Sequence, residues 1–163
     1  MPNEVQVRRG EIKDIEIIAE LNTAMAWETE QKPLNPATIR RGIRAVLNDS
    51  DYGFYVVAES GGEVIGCLMI TYEWSDWRSG RFWWIQSLYV KPSFRRHGVF
   101  KQLHDFVKAQ ALQHPEVCGV RLYVEQSNHA AQQAYRQIGM TPTTYQIYEE
   151  MLRQRPAASG RRR

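Results

Sequence analysis

The chain has 163 residues, a length that fits one domain and leaves room for a real core. Hydrophobic residues make up 43% and charged residues 24%, ordinary globular values that exclude a wholly disordered chain. A formal net charge of +3 is too small to argue for nucleic acid, and part of it belongs to Arg161, Arg162 and Arg163 at the very end.

Glu4, Arg8, Arg9, Glu11 and Asp14 interrupt the start with charge, so no signal peptide is expected there. No apolar run approaches the roughly 20 residues that span a bilayer, and a soluble cytoplasmic protein follows as the expectation. The pattern opens with a short alternating strand at residues 5–8. Asp14 then stands where it can cap a helix whose apolar face carries Ile15, Ile18, Ala19, Leu21 and Met25. The stretch Trp27-Glu28-Thr29-Glu30-Gln31-Lys32-Pro33 reads as a connection. Asn35-Pro36 announces a second helix, with Ile39, Ile43, Val46 and Leu47 on one side.

Strands are expected at 54–58 and 64–72, joined by Ser60-Gly61-Gly62, residues that tolerate positive φ. A connection at 74–81 leads into a third consecutive antiparallel strand at 82–90. Pro92 ends it, and a basic turn, Arg95-Arg96-His97-Gly98, feeds a helix at 99–113. Helix starts leave backbone N–H groups without intrahelical partners, so such a turn can present donors and positive charge to an anion. A strand at 118–125, a helix at about 128–138 capped by Ser127 or Asn128 and closed by Gly139, and an alternating strand at 144–151 complete the pattern. Cys67 and Cys118 sit in apolar strand-like runs and read as buried free thiols. The order β-α-α-β-β-β-α-β-α-β describes an α/β protein with a mixed, mostly antiparallel central sheet flanked by helices. The domain spans 1–153, and 154–163, which lacks apolar periodicity, reads as a disordered basic tail.

Three motifs stand in register with these elements: Tyr89-Val90-Lys91-Pro92, Arg95-Arg96-His97-Gly98-Val99-Phe100, and Asn128 with Tyr135 seven residues later. In this they resemble the GNAT (GCN5-related) N-acetyltransferase family, over about residues 5–151. The resemblance implies a single-domain GNAT fold. It also implies direct transfer of an acetyl group from acetyl-CoA to a primary amine, on a small molecule or a peptide, with neither metal nor nucleic acid. It further implies that backbone groups of Leu88, Tyr89 and Val90 pair with the pantetheine arm. Arg95, Arg96, His97, Gly98, Val99, Phe100 and Lys101 would surround the pyrophosphate, and Asn128 would contact the cofactor arm. The family usually has Gly or Ala where this chain has Phe100. A homodimer is a further implication.

Tyr135 is either a core aromatic or, by the resemblance, the general acid that reprotonates the departing thiolate and touches the cofactor. A phenol of pKa near ~10 is protonated at neutral pH, which suits it to a thiol of ~8.5. An alkyl amine acceptor of pKa about 10.4 costs roughly 4.6 kcal/mol to neutralise at pH 7, so a base or a desolvated pocket is needed. The polyamine-acetylating branch of the family places a Glu four positions before the Val of its strand motif. Gln86 stands there in this chain, able to orient a water or the acceptor but not to take a proton. Glu28, Glu30, Glu73 and Glu125 are the candidate bases, each also readable as a solvated carboxylate. Trp83 and Trp84 must face opposite ways along a strand, so one of them can line an acceptor cleft, with a dimer interface as the competing reading. His97, His104, His114 and His129 lack the paired spacing of a metal site. With no cysteine in a convincing nucleophile position, direct transfer is favoured over an acyl-enzyme. From another class, a catalytically inactive acyl-CoA-binding sensor remains as the alternative.

Overall fold

A computed structural model describes residues 3–152. These fall into two compact units, the first ending at Glu125 and the second beginning at Gln126. In the first unit, β1 (Val5–Arg9), β2 (Phe54–Ser60), β3 (Glu63–Ser75), β4 (Gly80–Val90) and β5 (Val117–Arg121) form one sheet in that spatial order. Pairing is antiparallel from β1 to β4 and parallel between β4 and β5. Helices α1 (Ile15–Glu30), α2 (Pro36–Asn48) and α3 (Val99–Leu112) belong to the same unit, and α4 (His129–Gln137) to the second. This is the α/β class and mixed sheet that the element order predicts.

The sheet is buried on both faces, and alternation along its strands divides the core. Phe54, Val56 and Ala58 of β2, with Leu68 and Ile70 of β3, pack with Val99, Leu103 and Val107 of α3. Tyr55, Val57 and Cys67 face the other way, against Ile15, Ile18 and Leu21 of α1 and Ile43 of α2. The helical spacing of these apolar residues thus places α1 and α2 on one face and α3 on the other. Each fully buried Ile or Leu contributes roughly 1.5–3 kcal/mol. Burial pushes the Cys67 thiol up to about 12, so it stays protonated.

Arg8 fixes the start of α1 to the sheet. Its guanidinium donates to both carboxylate oxygens of Asp14, at 2.8 and 2.9 Å, and to Glu59 at the end of β2. Asp14 was expected to cap α1 with its side chain, but its carboxylate instead accepts from Arg8 and from the Glu11 N–H at 2.7 Å. The Asn35 cap is present, accepting from the Thr38 N–H at 3.0 Å.

Other expectations need correcting. Helix α1 runs through Glu30 and stops only where Gln31 turns left-handed (φ 51°), so Glu28 lies on its last turn rather than in a connection. No Gly or Pro interrupts the sequence from Ile15 to Glu30. The connection expected at 74–81 is a tight hairpin, with β3 continuing to Ser75 and β4 starting at Gly80. Strand β5 ends at Arg121 rather than at 125. Cys118 is exposed, while Cys67 is buried as expected. Residues 144–151 form no strand in a single chain, because the ladder partner that alternation presupposes is missing among the described residues. The tail at 154–163 lies outside the described residues.

Candidate active site

Strand β4 carries the irregularity that opens the sheet. Met69 pairs with Gln86 and Cys67 with Tyr89, so Ser87 and Leu88 together oppose Leu68. This is a bulge, and Ser87 sits at its centre with φ 52°. A non-glycine residue there turns the backbone away from the regular ladder. On its other side β4 pairs with β5 only from Arg81↔Val117 to Trp84↔Arg121. From Ile85 onward that edge of β4 has no ladder partner among the described residues, leaving backbone donors and acceptors beside Leu88, Tyr89 and Val90. An extended chain can pair with such an edge as an additional strand does.

The open edge leads into the basic turn. A short 3-10 segment (Pro92–Phe94) follows β4, then Arg96 and Gly98 take positive φ of 63° and 79°. Gly98 is the N-cap of α3 and supplies no side-chain cap. The first N–H groups of α3, from Val99, therefore rely on something outside the helix. Arg96, His97, Gly98 and Lys101 are exposed, whereas Val99 is buried and anchors the helix. A side chain at Gly98 would meet nothing within 4 Å, so its requirement there is conformational. Phe100 is half-buried with its ring 6.4 Å from that of His104, which places its bulk along α3. Lys101 is paired with Asp105 at 2.7 Å.

Arg95 behaves unlike its neighbours in the turn. Its guanidinium grips Glu28 through two bonds of 2.6 and 3.0 Å, its Nε donates to the Val90 carbonyl at 2.9 Å, and it lies over the Tyr89 ring. The Tyr89 hydroxyl also donates to Glu28, at 2.9 Å. The end of α1, the end of β4 and the turn are thereby clasped together. The Arg95 guanidinium holds the Glu28 carboxyl below the usual carboxylate range, which makes Glu28 a poor proton acceptor near neutral pH. Burial, and then Glu28 itself, push the Tyr89 phenol up.

The remaining base candidates are placed as follows. Glu73 accepts from the Trp84 indole at 3.2 Å and from Arg121 at 2.8 Å. Gln86 donates to the Thr71 hydroxyl across the β3–β4 pair. Glu30 and Glu125 are exposed. Trp83 is buried against Phe54 in an edge-to-face contact of 5.1 Å, while Trp84 is half-exposed beside Tyr123, so the two do face opposite ways. Among the described residues no group of three His, Cys, Asp or Glu could hold a metal ion.

In the second unit, the Asn128 side chain caps α4 by accepting from the Ala131 N–H at 3.1 Å. Tyr135 lies in the last turn of that helix, half-buried, and burial raises its phenol. It is thus held in the protonated form that an acid requires.

The bulge at Ser87 and the clasp on Glu28 escaped sequence reasoning. A serine carries no local signal for positive φ, and Glu28 and Arg95 are far apart in the chain.

A mixed sheet with a bulged, half-unpaired fourth strand that runs through a glycine turn into an uncapped helix is the frame of an acetyltransferase. The model of the Acetyltransferase (GNAT) family matches residues 15–140, and the chain belongs to that family. No curated protein matches it in sequence. Among solved structures, a "possible acetyltransferase" from Clostridium difficile 630 is 37% identical, with a TM-score of 0.85 over 92% of this chain and 99% of that one. A predicted acetyltransferase with acetyl-CoA from Clostridium acetobutylicum shares the fold at 16% identity and a TM-score of 0.75, covering 90% of this chain and 96% of the other. The aminoglycoside N-acetyltransferase AAC(6')-Iy, in complex with CoA, does so at 18% identity and a TM-score of 0.75, covering 91% of this chain and 95% of the other.

Proposed function

We propose that the protein transfers an acetyl group from acetyl-CoA directly to a primary amine. The observation that carries this reading is the continuity of the unpaired β4 edge with the uncapped start of α3. The first suits the amide-bearing arm of acetyl-CoA and the second its pyrophosphate. Backbone groups of Leu88, Tyr89 and Val90 bind the arm, and one of their amides polarises the thioester carbonyl as charge develops on its oxygen. Amides of Arg96, His97, Gly98, Val99, Phe100 and Lys101 receive the pyrophosphate. Arg95 serves the site by shaping the turn, since its charge is already committed to Glu28.

In the reaction the neutral amine nitrogen bonds to the thioester carbon and gives up one proton to solvent water, the carbon–sulfur bond breaks, and Tyr135 gives its proton to the departing sulfur and is reprotonated from solvent. Asn128 contributes to the cofactor arm besides capping α4. Gln86, held by Thr71, orients the acceptor, and Glu73 adds negative charge that favours a cationic amine. Glu28 supports the site through Arg95.

A free-thiol release assay with acetyl-CoA and a broad panel of amines tests the reading, with Gly98→Glu as the control. Thiol release that depends on one class of amine and collapses in the control supports it. Tight CoA binding with no turnover on any amine would instead favour an acyl-CoA-binding sensor, and full activity in the control would remove the phosphate turn from the site.

A further inference from the structure

The ladder between β4 and β5 ends at the pair Trp84↔Arg121. Trp84 therefore stands at the apex of the opening that frees the β4 edge, and Tyr123 lies just beyond it, on the chain leaving β5. Alternation puts Trp84 opposite the buried Trp83 and on the same face as Gln86, two positions or about 6.6 Å along the strand. Gln86 is paired with Met69, which packs with α1 and α2, so this is the face that those helices occupy.

Two rings shape the face at this point. The centres of Trp84 and Tyr123 are 6.3 Å apart and their planes meet at 52°, an open corner rather than a closed stack. Tyr123 is 63% exposed and Trp84 half-buried, so both present ring surface to solvent. The Trp84 indole donates to Glu73 at 3.2 Å, which fixes its plane. A corner of this kind suits a flat apolar body, which it takes out of water and packs edge-on or offset.

Charge narrows the class further. Both carboxylate oxygens of Glu73 are engaged, one by Trp84 and the other by Arg121 at 2.8 Å. Beyond Trp84 on the same face lies Phe82, with the guanidinium carbons of Arg121 and Arg78 at 3.5 and 5.1 Å from its ring centre. One ammonium above Gln86 is drawn by Glu73. A second, further along the face, would meet two guanidinium groups instead.

We propose, resting on the transfer reading above, that Trp84 and Tyr123 select the acceptor, and that it is a monoamine with an aromatic ring about two carbons from its nitrogen. A ring seated in the corner leaves that nitrogen over Gln86, beside the bulge where the thioester carbonyl is polarised. A free arylethylamine and a peptide whose first residue is aromatic share this chemistry.

Steady-state kinetics with phenethylamine, the peptide Phe-Ala-Ala, butylamine and spermidine test the proposal. At least one ring-bearing amine should exceed butylamine and spermidine in kcat/KM by about tenfold, chiefly through KM, the scale of one buried aromatic contact. The faster of the two ring-bearing amines identifies the source. Tyr123→Ala should erase most of that ratio with its far-ultraviolet circular dichroism spectrum retained, and Tyr123→Phe should keep it. Calorimetric titration of phenethylamine into the CoA-loaded protein separates the corner from catalysis. Binding that Tyr123→Ala weakens, without turnover of any amine, keeps the corner and removes the transfer reading. Turnover in which butylamine or spermidine matches both ring-bearing amines keeps that reading and overturns the corner, as does a ratio indifferent to Tyr123→Ala. Neither binding nor turnover overturns both.

Discussion

The turn that opens α3 and the last turn of α1 touch through Arg95 and Glu28, yet they are built from different material. The first is backbone, with an N-cap at Gly98 that offers no side chain and helix N–H groups directed outward. The second is a set of side chains that have already found one another, Glu28 with Arg95 and Tyr89, and in the adjoining strands Glu73 with Arg121 and Trp84. A backbone anion site needs only a local conformation, so a short motif specifies it. A side-chain constellation depends on residues brought together from distant parts of the chain, and a motif cannot specify that.

The variant with the largest expected effect asks whether transfer needs an acid beyond these two regions. Tyr135→Phe should lower kcat about 100-fold, within the usual range for losing a positioned acid, while affinity for CoA measured by calorimetry stays nearly constant. An unchanged kcat would mean that the thiolate leaves unaided or is protonated elsewhere. Burial keeps the Tyr135 phenol protonated further up the pH scale than a free one. The acid should accordingly remain competent across the neutral range, with any loss of rate through its ionisation confined to strongly alkaline pH.

Next in size is a change in the support of α1, which carries the side-chain half of the comparison. Asp14 is 3% exposed, and Asp14→Asn removes charge from its paired bonds with Arg8. A loss of about 2 kcal/mol in unfolding free energy is expected, typical of hydrogen bonds to charged groups. Burial by itself would raise this carboxyl, but the bonds from Arg8 and Glu11 outweigh it and leave it below the usual range. The charge therefore stabilises the fold above the ordinary carboxylate pKa, and that contribution disappears as pH falls through the lower folded value. Denaturant titrations should show the gap between wild type and variant at full size at pH 7 and shrinking in strong acid. A gap independent of pH would remove the ion pair from the explanation.

A smaller effect is expected from Gly98→Ala, which probes the backbone half alone. The added methyl meets no atom, but the left-handed conformation at φ 79° penalises it by roughly 1–2 kcal/mol. The KM for acetyl-CoA should rise about tenfold with kcat nearly preserved. Equal changes in both parameters would show that the turn also acts on the reacting centre.

Much of this architecture is written locally. The apolar spacing from Ile15 to Leu21, the Asn35 cap and the glycine turn each depend on neighbours a few residues away, and each takes the expected form. The failures share a different cause. Ser87 adopts positive φ because β4 must diverge from its neighbour, a demand set by the sheet and invisible in a serine. Residues 144–151 have the alternation of a strand, but alternation states only what faces a strand would present and cannot supply the edge it needs. Glu28 looked like a free carboxylate because Arg95, the group that lowers its basicity, is distant in sequence.

Glu28→Gln sets the two regions directly against each other. A general base at this position would make the variant lose rate by about 100-fold or more and flatten the acid limb of its pH profile. The clasp predicts something milder and opposite in sign on the two substrates. Because Arg95 holds the Glu28 carboxyl low, the clasp stays charged as pH falls from neutrality through the usual carboxylate range, and opens only below it. Converting Glu28 to the neutral amide should free Arg95 to serve the phosphate turn, so the KM for acetyl-CoA should fall slightly. The end of α1 loses its anchor at the same time, and the KM for the amine should rise about threefold, an effect of the size typical for a partly exposed ion pair. Steady-state kinetics with each substrate varied in turn separates the two cases, since a base cannot improve the donor while weakening the acceptor.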